Sequence, residues 1–160
     1  MKKYFSMLAV WSLVLSGFSV WAGGQVPFKA SFSTEFTSVA AYPLVYVQVA
    51  GAGQASHLGS TLIGSTDQIV DLSTGIVTAT YWLTAANGDQ LAVSLLVHAT
   101  FVPDGLAISG GWTALGGTGR FANATGGGDL EGFATFTGPD TGVDHFQMTG
   151  FISSPGKSKK

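Results

Sequence analysis

Residues 76–101 read IVTATYWLTAANGDQLAVSLLVHATF. Two runs of alternating side chains flank a turn. In the first, Val77, Ala79, Tyr81, Leu83 and Ala85 share one face, and Thr78, Thr80 and Thr84 lie on the other with Ile76 and Trp82. In the second, Leu91, Val93, Leu95, Val97, Ala99 and Phe101 form an unbroken apolar face. Strand side chains point alternately to opposite faces, so each run reads as a half-buried β-strand. Asn87-Gly88 between them predicts a type I′ hairpin, whose two central residues both need positive φ. The stretch is therefore an antiparallel pair.

The same pattern continues on either side. Phe28, Ala30, Phe32 and Phe36 make another apolar face. Turn residues recur at Asp71-Leu72-Ser73-Thr74-Gly75, Pro103-Asp104-Gly105 and Gly138-Pro139-Asp140-Thr141-Gly142. Strands are expected at 26–36, 42–52, 57–70, 76–86, 89–102, 106–114, 128–137 and 143–153. No window after residue 22 shows a sustained helical period. Consecutive tight hairpins give a meander, and closing eight strands removes both exposed edges. The expected fold is all-β: an eight-stranded antiparallel up-and-down barrel of calycin-like shape. One connection differs. Gly116 to Gly128 holds six glycines and Arg120-Phe121-Ala122-Asn123, with room for one short helical turn.

The chain has 160 residues, enough for one domain. Charged residues make up only 10%, against about 25% in an average domain. That excludes charge-driven disorder and a basic-patch nucleic-acid binder. With no cysteine there is no disulfide, thiolate metal site or lipoprotein anchor. Met1-Lys2-Lys3, an apolar run from Tyr4 to Val20 and Val20-Trp21-Ala22 follow the pattern of a secretory signal peptide cut after Ala22. The apolar run is short for an uncleaved span of about 20 residues. The expected organisation is a signal peptide at 1–22, one barrel domain at 23–153 and a disordered basic tail at 154–160. The expected location is secreted or periplasmic. Residues 23–156 carry only Lys29 and Arg120 against nine acids. Nucleic acid and anionic membrane are poor partners for such a body.

Three segments belong together: His57-Leu58-Gly59, Thr84-Ala85-Ala86-Asn87-Gly88-Asp89 and Gly116-Gly117-Thr118-Gly119-Arg120-Phe121-Ala122-Asn123-Ala124-Thr125-Gly126. In combination they resemble a group of small bacterial exported proteins of unassigned function, over most of the chain. The GGTGRF segment also resembles that of plant dirigent proteins, whose relatives the allene oxide cyclases share the eight-stranded barrel. That resemblance implies a barrel with a cavity, in which dirigent proteins steer the coupling of phenoxy radicals. Only Gly116–Phe121 match their motif. Their catalytic acids have no match here, so no catalytic residue is carried over.

Candidate chemistry is sparse. Gly117-x-Gly119-x-x-Ala122 imitates a dinucleotide fingerprint, but that motif needs a βαβ unit, and the chain predicts none. Gly116, Gly117, Gly119, Arg120 and Phe121 read instead as a structural loop. Its lone arginine is expected to tie loop carbonyls and a carboxylate together. Asp129 and Glu131 share a strand face, as solvent-facing acids routinely do. Asp144 and His145 point to opposite faces. His57, His98 and His145 lack the close spacing of zinc ligands, so no metal site and no cofactor are expected. Tyr81, Trp82 and Trp112 are the aromatic candidates for contact with a small apolar or aromatic ligand. An eight-stranded barrel either packs solid or holds one such ligand. Binding or shielding a small apolar molecule is the leading reading. A cyclase-like or dirigent-like enzyme and a solid-cored surface protein are the alternatives. A cavity separates the first two from the third, and acids or histidines facing into it would favour catalysis.

Overall fold

The structure is a computed structural model that describes residues 24–156. The expected signal peptide and the tail lysines Lys157, Lys159 and Lys160 lie outside the described residues. Eight strands follow in chain order: β1 (Gln25–Ala41), β2 (Leu44–Ala55), β3 (Gly59–Asp71), β4 (Ile76–Ala85), β5 (Gln90–Val102), β6 (Gly105–Gly117), β7 (Gly126–Phe136) and β8 (Thr141–Ser153). Each pairs antiparallel with the next, and β8 returns to β1, so the barrel is closed. The expected fold class is the one observed.

Strand boundaries depart from the sequence reading where the apolar pattern fades but the backbone ladder continues. The first strand was expected to stop at 36. It runs to Ala41, with Ser38 paired to Val47 and Ala41 to Leu44. The expected strand at 106–114 extends to Gly117, which pairs with Leu91. The β4–β5 turn is also of another type. The Gly88 N–H donates to the Ala85 carbonyl at 2.9 Å, and Gly88 alone in the turn has positive φ, at 87°. A type I turn followed by a left-handed glycine replaces the expected type I′ turn. Asn87 accepts the Asp89 N–H with Oδ1 at 3.2 Å, a local bond that suits right-handed φ.

The alternation divides the molecule into two ends. Turns after β1, β3, β5 and β7 gather at a mouth, and those after β2, β4 and β6 at a base. The base is solid. Phe28 meets Trp112 with ring centroids 5.0 Å apart, and Leu83, Leu91, Met148 and Ile152 are buried around them. Phe121, in the 3₁₀ turn Gly119–Phe121, plugs the same end. Fully burying side chains of this size stabilises by roughly 1.5–3 kcal/mol each. The chain remains attached beyond β8: the Ser154 N–H donates to Gly24 and the Gly156 N–H to Arg120. The tail expected to be free from 154 is thus held as far as Gly156.

One irregularity positions the site. The β3–β4 pairing breaks between Gly64 and Ile69, and Thr66-Asp67 of β3 oppose the single residue Gln48 of β2. Such a bulge flips the inward set by one residue. Before it Thr61, Ile63 and Ser65 are buried; after it Gln68 and Val70 face inward. Asp67 stands in for the missing partner strand by accepting the Thr80 N–H at 2.9 Å. Burial works against its charge, but bonds from Thr80 and Ser65 outweigh it and hold the carboxyl below its usual range.

Candidate functional site: a cavity in the mouth half of the barrel

The mouth half is hollow. A cavity of about 450 Å³ opens there, walled by apolar side chains such as Val47, Val70, Val77, Leu95, Val97 and Ile108. Its floor is aromatic: Phe146 lies against Phe32 at 5.5 Å and against Tyr81 at 5.9 Å between centroids. The hollow follows from residue size. Near the base, inward positions hold Phe, Trp, Leu and Met. Toward the mouth many are small, as at Ser38, Ala40, Val45, Ala99 and Ala134, and the larger Phe36 and Phe136 pack on each other at 5.8 Å instead of filling the space.

Three polar side chains face this space near its floor. The Tyr81 hydroxyl donates to Gln68 Oε1 at 2.6 Å, a contact made possible by the β3 bulge. Burial, then the charges of Asp144 and Asp67, push the phenol further above its usual range, so it stays a neutral donor. Asp144 stands one pleat nearer the mouth than Phe146 and is only 5% exposed. Thr34 Oγ1 donates to its Oδ2 at 3.4 Å. Oδ1 has no hydrogen bond among the described residues. Burial pushes the Asp144 carboxyl up to about 6, although the Thr34 bond and the nearby His145 pull the other way. A carboxyl near 6 in an apolar pocket can exchange a proton or hold a positive charge near neutral pH.

Among solved structures, a pterocarpan synthase dirigent protein matches this barrel. The match has a TM-score of 0.51 and covers 85% of this chain and 90% of that one, at 13% identity. The barrel is dirigent-like. Neither a protein-family model nor a curated protein matches the sequence.

The aromatic candidates separate. Tyr81 lines the cavity floor. Trp82, the next residue, projects outward and is 46% exposed, so the barrel interior is closed to it. Alternation already forbids adjacent strand residues from sharing a face. Trp112 is interior but sits in the solid base, where its indole N–H donates to the Thr149 carbonyl at 3.1 Å. The structure therefore brings none of the three together. Asp144 and Gln68 complete the polar floor and were absent from the candidates. One signal for Asp144 was present: it shares its face with Phe146 and Met148.

The glycine loop lies at the base, away from the cavity. Arg120 Nε donates to Asp89 Oδ2 at 2.8 Å. The bonds from Arg120 and Asn87 hold the Asp89 carboxyl below its usual range. The Arg120 side chain takes this carboxylate and packs near the Phe121 ring at 5.5 Å, but ties no loop carbonyl. Those carbonyls find backbone partners instead, as in the bond from the Phe121 N–H to Thr118 O. The histidines are apart, each with its own partner: Pro27 O for His57, Ser33 for His145, and Thr74 O with Thr100 for His98. Asp129 and Glu131 are both exposed on the outer face.

Proposed function

We propose that this is an exported binding protein, akin to the small bacterial exported proteins its motifs resemble, whose barrel takes up a small apolar molecule through the mouth. The observation that carries the reading is the cavity of about 450 Å³ above a solid base. Pockets of roughly 300–1,000 Å³ with mostly apolar walls and few polar groups are the usual setting for small ligands. Apolar lips favour entry of such a molecule: Tyr42 is 84% and Phe101 72% exposed at the rim. The same hollow counts against a solid-cored surface protein. Mass spectrometry of small molecules extracted from the purified native protein tests the reading. A defined compound is expected from the wild type and not from Ala99→Trp, whose indole would fill the mouth. Equal yields from both, or none from either, would refute it.

A second reading is favoured by Asp144. An acid that titrates near 6 beside a neutral phenol can give or take a proton on a bound reactive molecule. The dirigent protein that shares the barrel is named a pterocarpan synthase. In this reading the extracted compound is converted on incubation with the protein, and Asp144→Asn stops the conversion while still binding it. Unchanged turnover in Asp144→Asn would exclude the reading.

A further inference from the structure

The distribution of charge around the cavity is one-sided. Of the four mouth turns, three carry an aspartate: Asp71, Asp104 and Asp140. None carries a lysine or arginine. Both cations among the described residues belong to the base half. Lys29 pairs with Thr149 and neighbours Ser56, and Arg120 is engaged by Asp89. No lysine or arginine lines the cavity, and the one histidine there, His98, has its ring nitrogens on Thr74 O and Thr100 at the rim. An apolar-walled cleft edged by one sign of charge focuses its field and draws in the opposite sign.

At the end of this path stands Asp144, 5% exposed, its Oδ1 without a hydrogen bond among the described residues. A buried carboxylate ordinarily has a cationic partner or several hydrogen bonds. Its neighbours on the adjacent strands are Thr34 from β1 and Ala134 from β7, and Tyr81 from β4, bonded to Gln68 of β3, shares the cavity floor with it. Tyr81 stays neutral and is committed to Gln68. His145, on the same strand, points outward to Ser33. Asp67 lies outside the wall and adds negative charge. Among the described residues no lysine or arginine pairs with Asp144, and only His145 offsets its burial by charge.

We infer that the cavity takes an apolar molecule bearing one basic nitrogen, whose ammonium pairs with Asp144 while its apolar body fills the space toward the mouth. The inference rests on the binding reading above and narrows it to a ligand class. A protonated amine would give Oδ1 the charge-assisted donor it lacks. It would also favour the ionised carboxylate that burial alone disfavours. The neutral Asp144 carboxyl, dominant in acid, offers no such attraction.

Three probes of one shape test this: 2-(2-naphthyl)ethylamine, the neutral 2-(2-naphthyl)ethanol and the anionic 3-(2-naphthyl)propanoate. Affinities are measured by calorimetry on the purified protein at pH 8 and pH 4.5, with melts as the fold control. At pH 8 the amine is expected to bind at least tenfold more tightly than the alcohol, and the propanoate most weakly. At pH 4.5, and in Asp144→Asn at pH 8, the amine's advantage over the alcohol is expected to vanish while alcohol binding persists. Equal binding of amine and alcohol at pH 8 would overturn the basic-nitrogen inference and leave the apolar cavity standing. So would an amine preference that survives in Asp144→Asn. Absence of binding by all three would overturn both.

Discussion

Arg120 and Asp89 join the glycine loop to the β4–β5 hairpin through one bond, Nε to Oδ2, at 2.8 Å. The two residues belong to the GGTGRF and TAANGD segments, so segments 31 residues apart form one unit at the base. The side chains are partly shielded, at 26% and 14% exposure. Arg120→Ala should lower the melting temperature by a few degrees, with lysine restoring only part because it lacks the guanidinium plane. Binding of the naphthyl probes should not change, since the cavity lies at the other end. Loss of binding at an unchanged melting temperature would contradict a purely structural role.

Gly119 and Gly88 separate two reasons for needing glycine. Both have positive φ, at 55° and 87°. A Cβ at Gly88 would meet nothing within 4 Å, whereas one at Gly119 would run into the Asp89 carboxylate. Gly88→Ala should therefore cost about 1–2 kcal/mol from the left-handed backbone alone. Gly119→Ala should cost more. The excess should shrink when Asp89→Ala is combined with it, a coupling that a double-mutant cycle in urea measures. Equal costs at the two glycines would show that Asp89 yields freely.

The Asp144 carboxyl makes stability fall as pH rises. Its value is raised to about 6 from the ordinary 3.8, so the native state holds the proton more tightly than the unfolded state. Between those two values the native state binds more protons, and stability declines with increasing pH. Above about pH 6 the full penalty is present, on the order of 2–3 kcal/mol for such a shift. Asp144→Asn should thus be more stable than the wild type at pH 8, with an advantage that disappears toward pH 4. Asp67, Asp71 and Asp89 are shifted downward, and their stabilisation is lost only below 3.8. Denaturation at pH 8 and pH 4 distinguishes these effects; a constant difference between variant and wild type would mean that Asp144 does not titrate in this range.

The barrel was legible because alternation is a local signal. Faces such as Leu91 to Phe101 and turns such as Pro103-Asp104-Gly105 need no knowledge of what packs opposite. The cavity was not legible, because hollowness depends on whether side chains from opposite walls meet. Val97 and Ala99 look like core in either case. The Tyr81–Gln68 pair was hidden for another reason. The bulge at Thr66-Asp67 breaks the period of two, and continuing the count from Ile63 places Gln68 outside. Asp144 stood in plain view on the apolar face of β8. Its consequence depended on whether a cation lay nearby, which only the folded chain reveals.

Three aromatic residues give the last test, because they occupy three environments. Tyr81 is in the cavity floor, Trp82 on the outer face and Trp112 in the solid base. Tyr81→Phe removes the hydroxyl that donates to Gln68 Oε1 and leaves that amide oxygen without its partner. A cost of about 1–2 kcal/mol is expected, together with altered affinity for the naphthyl probes. Trp112→Phe removes the donor to the Thr149 carbonyl and thins the packing on Phe28. It should cost at least as much but leave probe affinity unchanged. Trp82→Ser should change neither quantity by more than about 0.5 kcal/mol, as is usual for surface sites. The indoles also report optically. A quencher in solution should reach the exposed Trp82 and not the buried Trp112, with or without a bound probe. If Trp82→Ser weakens probe binding as strongly as Tyr81→Phe does, the ligand lies on the outer face of the sheet and not within the barrel.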